Sequence, residues 1–326
     1  MQIDLIKIVC MLYIIGFRHL LNYSEEYSPC HSLSYEVTIS ALGAFMFYAG
    51  WFFQDVKMDS KTDTLFFYKK RFIRFYILYA ISLLTLYIGG VILQKPWFDS
   101  LTQFILSFIG LSAIYLPNVG TLWFMSILMF FYIVTPIILC RQRNRHKWMT
   151  AGSLFLCLFG VYVILPNIID FRLPLYFLFY IIGLLMSHNY WNSFIQEKTM
   201  IGIIMGFAIF ITFALVNTDC LIASLLLKTI YISAFVVGLT SVCSIICRHA
   251  PKWLGGAVSL LSYIMLTAYL FHRQIFQVLK FLANNVVHID LSLNVLFFVF
   301  LPICFVISFL IQSVYDRIIG RFALQR

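Results

Sequence analysis

Ten stretches of this chain are long and apolar enough to cross a bilayer, and nearly every charge falls between them. A spanning helix needs about 20 mostly apolar residues, because lipid offers backbone N–H and C=O groups no partner. The stretches, with soft ends, are 4–22, 35–54, 73–94, 120–140, 147–166, 172–188, 200–216, 222–246, 258–281 and 291–315. Hydrophobic residues make up 62% of the chain and charged residues 11%. That is more apolar surface than one soluble core of this size hides. The expected fold is all-α: a polytopic transmembrane bundle of about ten spans, forming one domain over 1–326. The stretch 101–116 is apolar too, but it is short and ends at Pro117. It reads as an interfacial or re-entrant helix.

Lys and Arg in the loops set the orientation. Lys57, Lys61, Lys69, Lys70, Arg71 and Arg74 follow span 2, and Arg141, Arg143, Arg145 and Lys147 follow span 4. Lys198, Arg248, Lys252, Arg317, Arg321 and Arg326 fall on the same side under ten spans. The other side holds Lys95 and Arg172, beside Glu25, Glu26, Asp99, Asp170, Asp219 and Asp290. Both termini are therefore expected in the cytoplasm. The net charge of +10 is this inside excess, so it calls for no nucleic-acid partner. Arg18 and His19 interrupt the first apolar run and no small-residue cleavage site follows, so it reads as a retained span. No metal-type Cys pair, Gly-rich phosphate loop or fixed-period repeat is present, and no metal is expected.

Ionisable groups inside a bilayer are expensive, so each is a functional candidate. Span 1 carries Arg18 and His19, span 8 Lys228, and span 9 His272, Arg273 and Lys280. At about 1.5 Å per residue, His19 lies roughly 23 Å and His272 roughly 21 Å from the cytoplasmic starts of their helices. Lys228 lies roughly 9 Å below the outer end of its own helix. Three helices thus bring cations or imidazoles to one layer of the outer half. Snorkelling to the interface accounts for Lys280 and competes for Lys228. Two histidines on separate helices at one level suit acid–base chemistry, and depth does not say which is the base.

A second cluster opens span 3: Phe67-Tyr68-Lys69-Lys70-Arg71-Phe72-Ile73-Arg74-Phe75-Tyr76. Arg71 and Arg74, three apart, are expected to share a helix face. The cluster is either a topology signal anchoring to headgroups or a site for a phosphate-rich ligand, which Arg binds bidentately.

These strings resemble the membrane-bound acyltransferase family 3, the O-acyltransferases of bacterial surface polysaccharides and peptidoglycan. Ile3-Asp4-Leu5-Ile6-Lys7 through His19 is similar to the family's opening helix of an acidic residue, a basic residue and then a histidine. Phe45 to Phe52 resembles its Phe-rich Ser-Gly-aromatic segment, with Ala49 where Ser is usual. Phe67 to Tyr79 resembles its KRxxRIxPxY element without the Pro. Leu122-Trp123-Phe124-Met125-Ser126 with Phe131-Tyr132 resembles its LWFLS…FY helix, and Ser262-Tyr263 through Leu270-Phe271-His272 its SYxxYLxH helix. Each string alone is weak in an apolar chain; five in order carry the likeness. One spacing departs: the residues between Lys7 and His19 exceed the family's usual interval by one, a shift of about 100° around a helix. Either Lys7 leaves the usual basic role or the helix carries a local bulge.

The resemblance implies transfer of an acyl group, by family expectation acetyl, from cytoplasmic acyl-CoA to a hydroxyl of a cell-surface or lipid-linked glycan. It implies a multi-pass protein of the bacterial inner membrane. His19 would be the general base, with His272 as the rival and Glu36 orienting His19. Arg18, Lys228 or Arg273 would stabilise the oxyanion, and Lys70, Arg71 and Arg74 would hold the CoA phosphates. No soluble esterase-like domain is expected, so hand-off outside would need a separate extracytoplasmic enzyme or direct transfer at the membrane. The competing class is a transporter or flippase of a lipid-linked sugar. The Gly/Pro-interrupted helix pairs such folds show are not apparent here.

Overall fold

A computed structural model describes residues 1–23, 31–56, 58–92, 96–112, 122–140, 144–216 and 218–323. Among them the chain is helical, and the only pairing of extended backbone is an isolated bridge between Met58 and Cys140. It forms two compact units, Met1–Phe45 with Asn192–Arg326, and Met46–Trp191.

The helices are α1 (Gln2–Leu12), α2 (His31–Trp51), α3 (Lys61–Arg71), α4 (Ile77–Ile92), α5 (Leu101–Phe108), α6 (Trp123–Leu139) and α7 (Asn144–Ile164). Then come α8 (Arg172–Leu185), α9 (His188–Glu197), α10 (Thr199–Ala214), α11 (Leu221–Arg248), α12 (Lys252–Leu282), α13 (Leu293–Val295) and α14 (Leu301–Ala323). Among the described residues, five helical runs are long and apolar enough to cross a membrane: Lys61–Ile92, His146–Ile164, Leu221–Arg248, Lys252–Val287 and Leu293–Ile319. The pair α8 and α9, bent by 97°, adds a sixth if it counts as one span. Helices α6 and α10 are apolar but shorter. Leu156, Ile164, Ile204, Phe298 and Val306 are 59–78% exposed. Exposed apolar residues in such number mark faces meant for lipid rather than water.

In the first unit, α1 packs against α11 and α12, α12 against α14, and α10 against α11. Small residues let α10 and α11 approach closely: a Cβ on Gly206 would overlap the Ala234 carbonyl and the Gly238 backbone. Ser262 Oγ donates to Asp4 Oδ1 at 3.2 Å, and Tyr263 donates to Asp316 at 2.6 Å, fixing α12 between α1 and α14. Helix α1 does not run on as a regular α-helix. It widens into a π-helix over Tyr13–His19 and ends in a 3-10 turn, Leu20–Tyr23. A π-turn takes one residue more than an α-turn and so absorbs about 100° of rotation. Such a bulge is one of the two outcomes the long Lys7–His19 interval left open.

In the second unit, α3 and α8 pack on α6, α7 packs on α6 and α8, and α5 lies on α4. Ser60 caps α3 through a capping box: its hydroxyl accepts from Asp63 N at 3.1 Å, and Asp63 accepts from Ser60 N at 2.9 Å. A π-turn over Phe72–Tyr76 joins α3 to α4. Helix α5 starts on the Ser100 cap and stops at Gly110, whose φ of 81° suits glycine alone. That short helix answers the expected interfacial segment as far as Ser112; the remainder, with Pro117, lies outside the described residues. The Met46–Trp51 part of α2 meets α8 backbone to backbone. A Cβ on Gly50 would overlap the Tyr180 carbonyl, and one on Gly183 the Phe47 carbonyl. Asp170, 6% exposed, pairs with Arg172, whose guanidinium lies 3.7 Å from the Trp123 ring centroid.

Candidate active site

The π-helix carries His19 to a buried meeting with His272 of α12. Their exposures are 9% and 0%, and His19 Nδ1 lies 2.9 Å from His272 Nε2. The rings are 3° from parallel with centroids 4.9 Å apart. Stacked faces need about 3.5 Å between planes, more than the N···N distance allows, so the rings meet edge to edge through a hydrogen bond.

The proton positions in this pair follow from its far end. His272 Nδ1 sits 2.7 Å from the Tyr269 carbonyl oxygen, which only accepts. His272 Nδ1 therefore carries hydrogen, and in the neutral ring His272 Nε2 is the acceptor. His19 Nδ1 must then donate to it, leaving His19 Nε2 as a bare lone pair. The chain runs one way: His19 Nδ1–H to His272 Nε2, and His272 Nδ1–H to the Tyr269 carbonyl. Phe276 closes one side edge-on, 5.8 Å from the His272 ring.

Arg18 precedes His19 in the same π-helix, and its Nη1 is buried with no hydrogen-bond partner among the described residues. Arg273 is half-buried beside His272. Lys7 lies 5.9 Å from the Phe45 ring centroid.

Glu36 does not meet His19. It accepts from Tyr231 and pairs with Lys228 at 3.5 Å, with Glu36 and Lys228 14% and 17% exposed. Charge decides this: a buried carboxylate gains more from an ammonium and a hydroxyl than from a neutral ring. Lys228 is thus held by Glu36 and Tyr231. Tyr231 escaped the sequence reading, although it stands three residues after Lys228 and so shares its face. The Tyr269 carbonyl had no signal at all, since every helical residue presents one.

In the other unit, the cationic cluster divides. Arg71 is half-buried in an aromatic cage, 4.5 Å from the Phe53 centroid and 5.7 Å from those of Phe67 and Tyr132. Its Nε has no hydrogen-bond partner among the described residues. It borders a largely apolar cavity of about 310 Å³ with Tyr68, Phe75, Tyr76 and Met129. Lys70 and Arg74 are exposed. The expected shared face of Arg71 and Arg74 is broken by the π-turn that begins at Phe72, where residues three apart no longer sit above one another. Among the described residues no group of His, Cys, Asp and Glu is arranged to hold a metal ion.

A search of curated proteins and a search of solved structures found no match to the chain. The model of acyltransferase family 3, described as an acyltransferase domain, matches residues 2–313 and so takes in both units. The chain belongs to acyltransferase family 3, and it is a membrane acyltransferase, an enzyme that moves acyl groups other than aminoacyl groups.

Proposed function

We propose that the protein transfers an acyl group, acetyl in the simplest case, from cytoplasmic acyl-CoA to a hydroxyl of a cell-surface or lipid-linked glycan in a bacterial inner membrane. The proposed topology has ten spans with both termini in the cytoplasm. The observation that carries the reading is the directed hydrogen-bond chain from His19 through His272 to the Tyr269 carbonyl.

In this reading His19 Nε2 accepts the proton of the acceptor hydroxyl as its oxygen attacks the thioester carbonyl. The C–O bond forms and the C–S bond breaks. The proton leaves His19 for the departing CoA thiolate. Throughout, His19 Nδ1–H keeps donating to His272, so the imidazolium is supported without any proton crossing between the rings. His272 is a positioning residue that fixes His19's tautomer and ring angle. Arg18 Nη1, buried and without a hydrogen-bond partner among the described residues, is the preferred donor to the oxyanion, since an unsatisfied buried guanidinium gains most where charge develops. Arg273 is the second choice, and Lys228 is bound elsewhere. Arg71 is the main proposed contact for the CoA phosphates, with Lys70 and Arg74 adding exposed charge.

Purified protein given radiolabelled acetyl-CoA and glycan acceptors should incorporate label into the glycan. His19→Ala should cut turnover by about 10²–10⁴, the usual worth of a positioned base, with acetyl-CoA still bound. Near-normal turnover in that variant would sink the mechanism.

A further inference from the structure

In the same unit as the histidine pair lies a second cavity that no step above uses. Its volume is about 280 Å³, and it is lined by Glu36, Thr218, Asp219, Ser224, Lys228 and Tyr231, with a few apolar residues. It lies where the end of α10 and the first three turns of α11 meet the start of α2. In a chain this apolar, Glu36 and Lys228, 14% and 17% exposed, are costly groups to hold in a helix bundle. A transmembrane helix pair has no packing need for them.

The charges select the ligand. Lys228 is already paired with Glu36, and Tyr231 donates to the same carboxylate. Asp219 is exposed at the cavity wall and leaves the lining net acidic. Phosphates and uronic acids are repelled by such a wall. Vicinal hydroxyls are welcomed, because a carboxylate accepts two at once while Thr218 and Ser224 both donate and accept. The volume lies at the small end of the range of about 300–1,000 Å³ for ligand sites, room for one sugar ring and not for a nucleotide.

The cavity is also tied to the catalytic helix. Tyr13, at the start of the π-helix that ends in His19, donates to the Ser34 carbonyl at 3.0 Å and so joins that helix to the start of α2, which carries Glu36. We infer that the Glu36–Asp219–Tyr231 cavity is an acceptor subsite that grips one uncharged sugar ring by its hydroxyls and so sets which hydroxyl reaches His19. The inference rests on the acyltransfer reading above.

The test separates the two. Full-length protein in detergent is titrated with radiolabelled methyl glucoside, N-acetylglucosamine and glucuronate by equilibrium dialysis, and the same sugars are offered as acceptors with acetyl-CoA. Wild type should bind the two neutral sugars and reject glucuronate. Asp219→Asn and Glu36→Gln should each weaken neutral-sugar binding roughly tenfold or more, the worth of one hydrogen bond to a charged group. Acetyl-CoA KM should stay within about twofold, since the donor phosphates lie elsewhere. Asp219 is exposed, so its variant tests binding without disturbing packing. If wild type binds none of the sugars, or the Asp219→Asn protein binds them as well as wild type, the cavity is only a solvated ion pair and the subsite is overturned. If sugar binding depends on these residues while wild type transfers no label, the subsite stands and the acyltransfer reading falls instead.

Discussion

His19 and His272 are chemically identical side chains with different second partners, and that difference divides their labour. The Tyr269 carbonyl pins a proton on His272 Nδ1, so the pair has one outward lone pair, at His19 Nε2. The roles can be tested on His272. His272→Ala should lower kcat roughly ten- to a hundredfold, the cost of one lost orienting hydrogen bond in a buried site. His272→Gln places an amide oxygen near the lost Nε2 and should recover part of that loss. Total loss in the Ala variant with no rescue by Gln would move the base to α12. Both histidines were legible in the sequence as costly intramembrane groups at one depth, and so was the layer they share. Their division of roles was not, because it depends on which backbone oxygen faces His272. Glu36 misled for a related reason. Depth placed it near His19, but the choice between a histidine and an ion pair is made by lateral position, which a one-dimensional string does not carry.

Among elements, irregular helices do the positioning. The π-helix over Tyr13–His19 absorbs the extra residue between Lys7 and His19, and the π-turn over Phe72–Tyr76 parts Arg71 from Arg74. The first was legible as a spacing anomaly, with a bulge as one of two outcomes. The second had no comparable signal, since the Arg71–Arg74 spacing alone fits an unbroken helix. Close helix contact is the other device. Gly183 and Gly50 bring α8 and the Met46–Trp51 part of α2 into backbone contact, where an added Cβ has nowhere to go. Gly183→Ala should therefore cost about 1–3 kcal/mol, the usual range for overpacking, read as a lower midpoint of thermal unfolding in detergent. Gly152→Ala on α7, where nothing lies within 4 Å of the added atom, is the control and should hold or slightly raise stability. Equal midpoints for the two variants would mean that the α2–α8 contact does not bear on stability.

For the whole molecule, orientation decides which chemistry is available to which compartment. Acyl-CoA is a cytoplasmic donor, so the Arg71 cage has to face inward for the proposed reaction to run, and the mouth near Asp219 has to face outward. The loop charges argue for that sense: each cytoplasmic Lys or Arg near the headgroups gains about 1 kcal/mol from anionic lipid. The proposed ten spans need more than the longest runs: helices α6 and α10 are short but apolar, and local thinning of the bilayer would let them cross. Cys220 supplies the measurement, because it is exposed and sits immediately before α11. In an otherwise cysteine-free protein, Cys220 should react with a membrane-impermeant maleimide in intact spheroplasts. A cysteine placed at Ser60, in the cap of α3, should react only after the membrane is opened. The reverse pattern would turn the molecule over, leaving Arg71 on the side without acyl-CoA and ending the donor assignment. Labelling of both sites in intact spheroplasts would instead require an even number of crossings between them, and the ten-span topology would have to be redrawn.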